Sequence, residues 1–250
     1  MRKKVSRKAA GAALVLAGAA IAAALLAPYL AELAGSDYSG YVYADALDDG
    51  GFPAVDWYAL LAENPDVIGW VRVEGTPIDY PVVQARRDDP QRYLSCALDG
   101  SWNGHGCPYV DADCDGVRGP CVLTYGHNMI DGSMYSAFSG YTDQDYFDAH
   151  REILFMTPEH NFRLDAVAAS EVSAWDHHPQ VEFDGADDLT AHLAGEAARA
   201  QATGRVPDSC AQVFEFVCCS YGISNGRTIV YAVEPGSEDT VYERGYFDEG

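Results

Sequence analysis

The feature that most limits how this chain can fold is a succession of short β-branched and aromatic runs, each closed off by turn residues. Val67–Val73 and Ile78–Val83 are separated by Glu74-Gly75. Similar runs recur at Val122–Tyr125, Ile153–Met156, Phe162–Ser170, Val213–Cys219 and Thr228–Val233. Runs of this length, rich in Val and Ile and bounded by Gly, Asn and Asp, read as strands. Two helices interrupt them. Asp56 can cap a short one with Trp57, Leu60 and Leu61 on one face, ended by Asn64-Pro65. A longer one is expected from Leu189 to about Gln201, capped by Asp187 or Asp188, with Leu193 and Ala197 at helical spacing before Gly204. Many short strands and few helices predict a mainly β fold, a closed or nearly closed barrel.

Ahead of the strands the chain changes character. Arg2, Lys3, Lys4, Arg7 and Lys8 form a basic tail, and no charged residue follows from Ala9 to Ala31. As a helix at ~1.5 Å per residue that run is about long enough for a hydrocarbon core of ~30 Å. The expectation is a single-pass anchor at the cell membrane: a cytoplasmic tail (1–8), a transmembrane signal anchor (9–31), a juxtamembrane spacer (32–55) and an extracellular domain (56–250). A cleaved signal peptide competes with this, although its apolar stretch is normally only about 7–15 residues. The basic tail holds five of the 16 Lys and Arg, which leaves 11 against 38 Asp and Glu in the rest of the chain. So acidic a surface repels phosphate backbones and excludes nucleic acid as a partner.

Seven cysteines fall in two groups, Cys96, Cys107, Cys114 and Cys121, then Cys210, Cys218 and Cys219. In an oxidising compartment the first four could close two disulfides, with Cys210 also open to pairing, and spacing does not give the connectivity. Cys107, Cys114 and Cys121 with His105 lack the tight pairs of a structural zinc site. Asp111–Gly116 (DADCDG) imitates half of a calcium loop, but Val122 stands where its twelfth residue would be Glu. No metal and no cofactor is expected.

Phe214–Val230 (FEFVCCSYGISNGRTIV) carries more chemistry. A strand ends at the Cys pair, a Ser-Tyr-Gly and Asn-Gly loop follows, and the next strand begins at Arg227. Successive side chains of a strand point to opposite faces, so only one of Cys218 and Cys219 can face a given site. A thiol reacts as its thiolate and needs a partner near neutral pH, usually His. Of the seven His, His127 stands where an apolar strand runs through Tyr-Gly into a polar loop.

Three segments resemble the class B sortases over roughly Asp56 to Val233: NPDVIGWVRVEGTPIDYPVVQ, YGHNMIDGSMYSAF and CCSYGISNGRTIV. The resemblance implies a sortase-type eight-stranded closed β-barrel, with an N-terminal helical region and a helix inserted before the nucleophile strand that helps wall the substrate groove. It implies Cys219 as nucleophile, since Ser220-Tyr221 follows it as in the family, with His127 and Arg227 as catalytic partners. It further implies a cysteine transpeptidase that cleaves a C-terminal sorting signal on a secreted protein. The acyl group would pass through a thioacyl-enzyme to an amine of a lipid-linked peptidoglycan precursor or a pilin. One departure stands out: Cys218 replaces the usual Thr before the nucleophile. The same residues would also serve a thiol endopeptidase with water as acceptor, and the cysteines would serve a non-catalytic, disulfide-stapled binding module.

Overall fold

The computed structural model describes residues 18–28, 30 and 37–236. Residues 18–28 are helical and exposed. Among the described residues no helix is long and apolar enough to cross a membrane. The expected single-pass placement at the cell membrane is therefore overturned; the basic tail and much of the run from Ala9 to Ala31 lie outside the described residues.

From Tyr38 onward the chain forms a separate compact unit. It opens with a structure the sequence did not suggest. Val42–Leu47 (β1) pairs antiparallel with Pro53–Val55 (β2). The Asp48 carboxylate closes the turn, accepting from the amides of Gly50 and Phe52, each at 2.9 Å. Apart from a half-buried Val42, β1 is exposed throughout, so it carries no alternation to read.

Helix α1 (Trp57–Glu63) follows, capped as expected by Asp56, whose Oδ1 accepts from the Ala59 amide at 2.9 Å. Leu60 is buried there, whereas Leu61 remains exposed. Then come β3 (Val67–Arg72), β4 (Asp79–Gln84), β5 (Tyr109–Val110), β6 (Cys121–Tyr125), helix α2 (Gln144–Ala149), β7 (Glu152–Met156), β8 (Asn161–Ser173), helix α3 (Ala186–Arg199), β9 (Ala202–Thr203), β10 (Val213–Ser220) and β11 (Gly226–Val233). Hydrogen bonding runs in the order β11-β10-β6-β5-β4-β3-β7-β8, and β8 pairs back onto β11. Eight strands thus close into a barrel, with β9 added on β8. Closure leaves these eight strands without a free edge pair, which is how all-β folds avoid edge-to-edge association.

The barrel interior is aromatic. Phe138 stacks on Phe216 with ring centroids 4.9 Å apart, and Phe214 meets Phe155 at 5.2 Å and Phe162 at 5.0 Å. Along β10 the inward residues are Phe214, Phe216 and Cys218. The outward ones, Val213 and Val217, join Ile229, Tyr231 and Val233 of β11 beneath Leu189 and Leu193 of α3. Helix α3 starts one turn earlier than expected. Gly185 caps it at φ 91°, and Asp187 and Asp188 sit in the first turn, where their charge opposes the positive end of the helix dipole.

All seven cysteines are free thiols, so the expected disulfides do not form. Cys107, Cys121, Cys210 and Cys218 are each buried within the packed interior. The DADCDG loop spends its Asp111 carboxylate on the Asp113 amide, and among the described residues no group of His, Cys, Asp and Glu is disposed to hold a metal ion.

Gly69 of β3 lies against the ring of Phe155. A Cβ there would come within 2.6 Å of Phe155 Cε1 and 3.0 Å of the Met156 carbonyl. Replacing Gly69 by Ala should lower unfolding free energy by about 1–3 kcal/mol, read from denaturant midpoints. An unchanged midpoint would mean that the β3–β7 packing is looser than described.

Candidate active site

Two registers bring the chemistry together. β6 and β10 run parallel, with Val217 opposite Tyr125. Two residues past Val217 comes Cys219, still on β10, and two past Tyr125, just beyond the end of β6, comes His127, so both emerge at the same end of the barrel. β10 and β11 run antiparallel, with Cys219 directly opposite Arg227. Directly opposed residues share a face, with Cβ atoms about 4.5–5.5 Å apart. Cys219 and Arg227 therefore point outward together, while Cys218 and its partner Thr228 point into the barrel.

The turns hold this register. Asn225 adopts the left-handed conformation at φ 53°, a geometry Asn tolerates, and the amide of Gly226 bonds to the Ile223 carbonyl at 3.2 Å. Gly126 is needed for a different reason. The ring of Tyr135 packs on it so closely that a Cβ would lie 2.5 Å from the ring. That close approach is what directs the chain into His127.

His127, Cys219 and Arg227 line one cleft of about 520 Å³. His127 Nε2 lies 2.8 Å from the Leu94 carbonyl. A carbonyl can only accept, so Nε2 carries the proton and Nδ1 is left free to exchange one. Arg227 is half-buried, and Nη1 donates to the Gly226 carbonyl at 2.9 Å. Among the described residues it makes no ion pair, notable in a chain with 38 carboxylates. Its remaining donors can turn to a bound backbone.

The two adjacent thiols differ sharply. Cys218 is 2% exposed, and burial, reinforced by the neighbouring Cys219, pushes its thiol up to about 12. It stays protonated and unreactive. Cys219 is half-exposed on the cleft wall.

Several neighbours were not singled out from sequence. Asn128 Nδ2 donates to the Cys219 carbonyl at 2.8 Å, and the Tyr221 hydroxyl donates to the Asn128 carbonyl at 2.8 Å. These two bonds tie the end of β10 to the His127 loop. Adjacency in Gly-His-Asn was the available signal for Asn128. Tyr109 faces the same cleft, and burial followed by the charge of Asp111 raises its phenol to about 12. His177, read from sequence as part of a polar loop, also lines the cleft; burial above all lowers its affinity for a proton. The other histidines stay away from Cys219. His105 Nε2 bonds to Asp131 at 3.1 Å, His150 Nδ1 to the Tyr146 carbonyl at 2.9 Å, and His192 packs tilted against Phe183. None of these three lines the cleft.

No protein-family model matches the chain. Sortase B of Listeria monocytogenes serovar 1/2a is 28% identical over 131 residues, 52% of each chain. Sortase B of Staphylococcus aureus is 24% identical over 132 residues, 52% of this chain and 53% of the relative. The chain thus matches about half the length of these curated relatives. Among solved structures, Clostridium perfringens sortase B aligns with TM-score 0.66 at 23% identity, covering 71% of this chain and 98% of that one. Bacillus anthracis sortase B in complex with AAEK1 aligns with TM-score 0.66 at 21% identity, covering 81% and 94%. The fold is that of sortase B, an eight-stranded closed barrel with a helix ahead of the strands. The resemblance to class B sortases read from the sequence is borne out.

The contrast between the thiols gives a direct test. Brief iodoacetamide treatment of native protein near pH 7.5 should label Cys219 at least about tenfold faster than Cys218, read by peptide mass spectrometry. Faster labelling of Cys218 would reverse the assignment of faces along β10.

Proposed function

We propose that this chain is a sortase-type cysteine transpeptidase, with Cys219 as nucleophile, His127 as proton carrier and Arg227 as electrostatic clamp. The observation that supports it most is that His127, just past the end of β6, lines one cleft with Cys219, and that Arg227 stands opposite Cys219 on the same face.

The residues then divide the chemistry. The Cys219 thiolate attacks the carbonyl carbon of a peptide bond, and the unpaired Arg227 donors steady the negative oxygen and the substrate backbone. When the C–N bond breaks, protonated His127 gives its Nδ1 proton to the departing amine. An acyl group remains on Cys219 as a thioester. An incoming amine attacks that thioester, loses a proton to His127, and leaves the acyl group in a new amide while the thiolate is restored. The Leu94 carbonyl holds the imidazole through Nε2 in both halves of the cycle, which keeps Nδ1 as the exchanging atom.

On this reading the first substrate is a protein bearing a sorting signal. The acceptor is an amine of a cell-wall precursor or a pilin. A primary amine acceptor distinguishes transfer from hydrolysis, since transfer gives ligated product and water gives only the free acid.

The test is capture of acyl-enzyme from a library of sorting-signal peptides, followed by addition of amine. Cys219→Ala should abolish the thioester, and Cys218→Ala should retain it. Arg227→Lys should lose about 10²-fold or more in turnover, because a point charge cannot replace the planar fork. Normal turnover in Arg227→Lys would remove that residue from the mechanism. Hydrolysis without ligation at saturating amine would reduce the chain to a thiol peptidase.

A further inference from the structure

Below Cys219 on the outward face of β10 come Val217, Glu215 and Val213, every second residue. Glu215 is a carboxylic acid in an apolar row and is 2% exposed. Its cross-strand neighbours are Leu123 and Tyr231. One oxygen accepts from the Cys121 thiol at 3.6 Å. Among the described residues, no Lys or Arg contributes to the charges acting on it. Burying an acid without a cation is costly, and a valine would satisfy the packing as it does on either side.

Glu215 lines a second chamber of about 490 Å³. Ile229 and Tyr231 share its floor, and His192, Glu196 and Arg199 of α3 form one wall. His177 lines both this chamber and the Cys219 cleft, so the two adjoin. Four residues at ~3.3 Å place Glu215 about 13 Å along the strand from Cys219. An extended peptide with its reacting carbonyl at Cys219 would set a side chain over Glu215 about four residues away.

The fixed charges favour one kind of side chain. Arg199 is already paired with Glu196 within α3. His177 is held towards its neutral form by burial and by Arg227, His178 and His192, against the pull of Glu196. Glu215 is the uncompensated acid at the floor, with a neutral imidazole near the entrance. We propose that the Glu215 chamber is a binding subsite for a basic side chain, lysine or arginine, of the peptide that Cys219 attacks. This inference rests on the transpeptidase reading for its substrate but not for its test, which reads binding alone.

Burial pushes the Glu215 carboxyl up to about 8, so the empty subsite largely keeps its proton at neutral pH. An arriving ammonium or guanidinium displaces that proton. Binding of a basic side chain should therefore strengthen as pH rises through about 8, while lysine itself stays charged. The other titratable groups facing Glu215 are Cys121 from β6, Cys114 from the loop before it, Tyr231 from β11, and His192 and Glu196 from α3. His177 and His178 face it from the loop after β8, with Asp176 beside them. Burial first of all raises the two thiols and the phenol, so they stay neutral throughout the range.

The probe is a degenerate nonapeptide library retained on immobilised Cys219→Ala protein and sequenced. Lysine or arginine should be enriched about tenfold at one position, with enrichment growing between about pH 6.5 and 8.5. Glu215→Gln in the same background should bring that position close to background. Enrichment of apolar or acidic residues there, no enrichment anywhere, or a preference untouched by Glu215→Gln would overturn the proposal. If Glu215→Gln fails to fold, the comparison moves to the ligand. Retained peptides are resynthesised with norleucine for lysine and must bind about tenfold more weakly, and an equal affinity overturns the subsite. Absence of acyl-enzyme in the unsubstituted protein, with the basic preference intact, would instead sink the transpeptidase reading and leave the subsite standing.

Discussion

The pairing of β6 with β10 is the constraint on which the site depends. These strands are far apart in sequence and run parallel, so no hairpin can set their register. The register is set by what each face buries. Phe214 and Phe216 must enter the aromatic interior, and Val213 and Val217 must meet the underside of α3. A slip of one residue would exchange the two sets and expose the aromatics. The same demand fixes Cys219 outward, two residues past the end of β6. The position of the thiol is thus a by-product of core packing several residues away.

A second consequence concerns reactivity. The chain places two thiols side by side, and the pleat of the strand sends them into opposite surroundings. Inside the barrel, Cys218 sits among apolar side chains beside Thr228 and cannot readily ionise. Outside, Cys219 shares a cleft with a free imidazole nitrogen and an unpaired guanidinium. The barrel interior accepts the buried Cys218 thiol while Cys219 keeps to the outward face. A bond between the two sulfurs would require the strand to give up its pleat at the point where β10 is held by β11.

The outward face of β10 also links chemistry with recognition. Its residues form a single row from Cys219 to Glu215, roofed by the loop after β8 and walled by α3. In a chain with so large an acidic excess, most carboxylates are solvated and need no partner. Glu215 is the exception, because it is buried and uncompensated. Empty, it keeps its proton, and a cation brought from outside would let it ionise, which is why the chamber reads as a place for substrate rather than as a flaw in packing.

Much of this was legible from the chain. Seven strand runs and both principal helices lie close to where alternation, Asp56 and Asn64-Pro65 put them, and the three segments resembling class B sortases carry His127, Cys219 and Arg227. The β1–β2 hairpin escaped notice because its exposed residues have no buried face to alternate against. The length of the uncharged N-terminal run suggested an anchor, but among the described residues no helix is long and apolar enough to cross a membrane. The spacing of cysteines suggested bridges, but spacing along the chain does not place sulfurs together in space. The local signals, strand endings and turn residues, were determined by the sequence alone, because they depend on neighbours a few residues apart. Which thiol faces the cleft, how His127 is held by Leu94, and the joining of Glu215 to the site were decided only by tertiary structure. Each depends on a register between strands brought together by the burial of a common core.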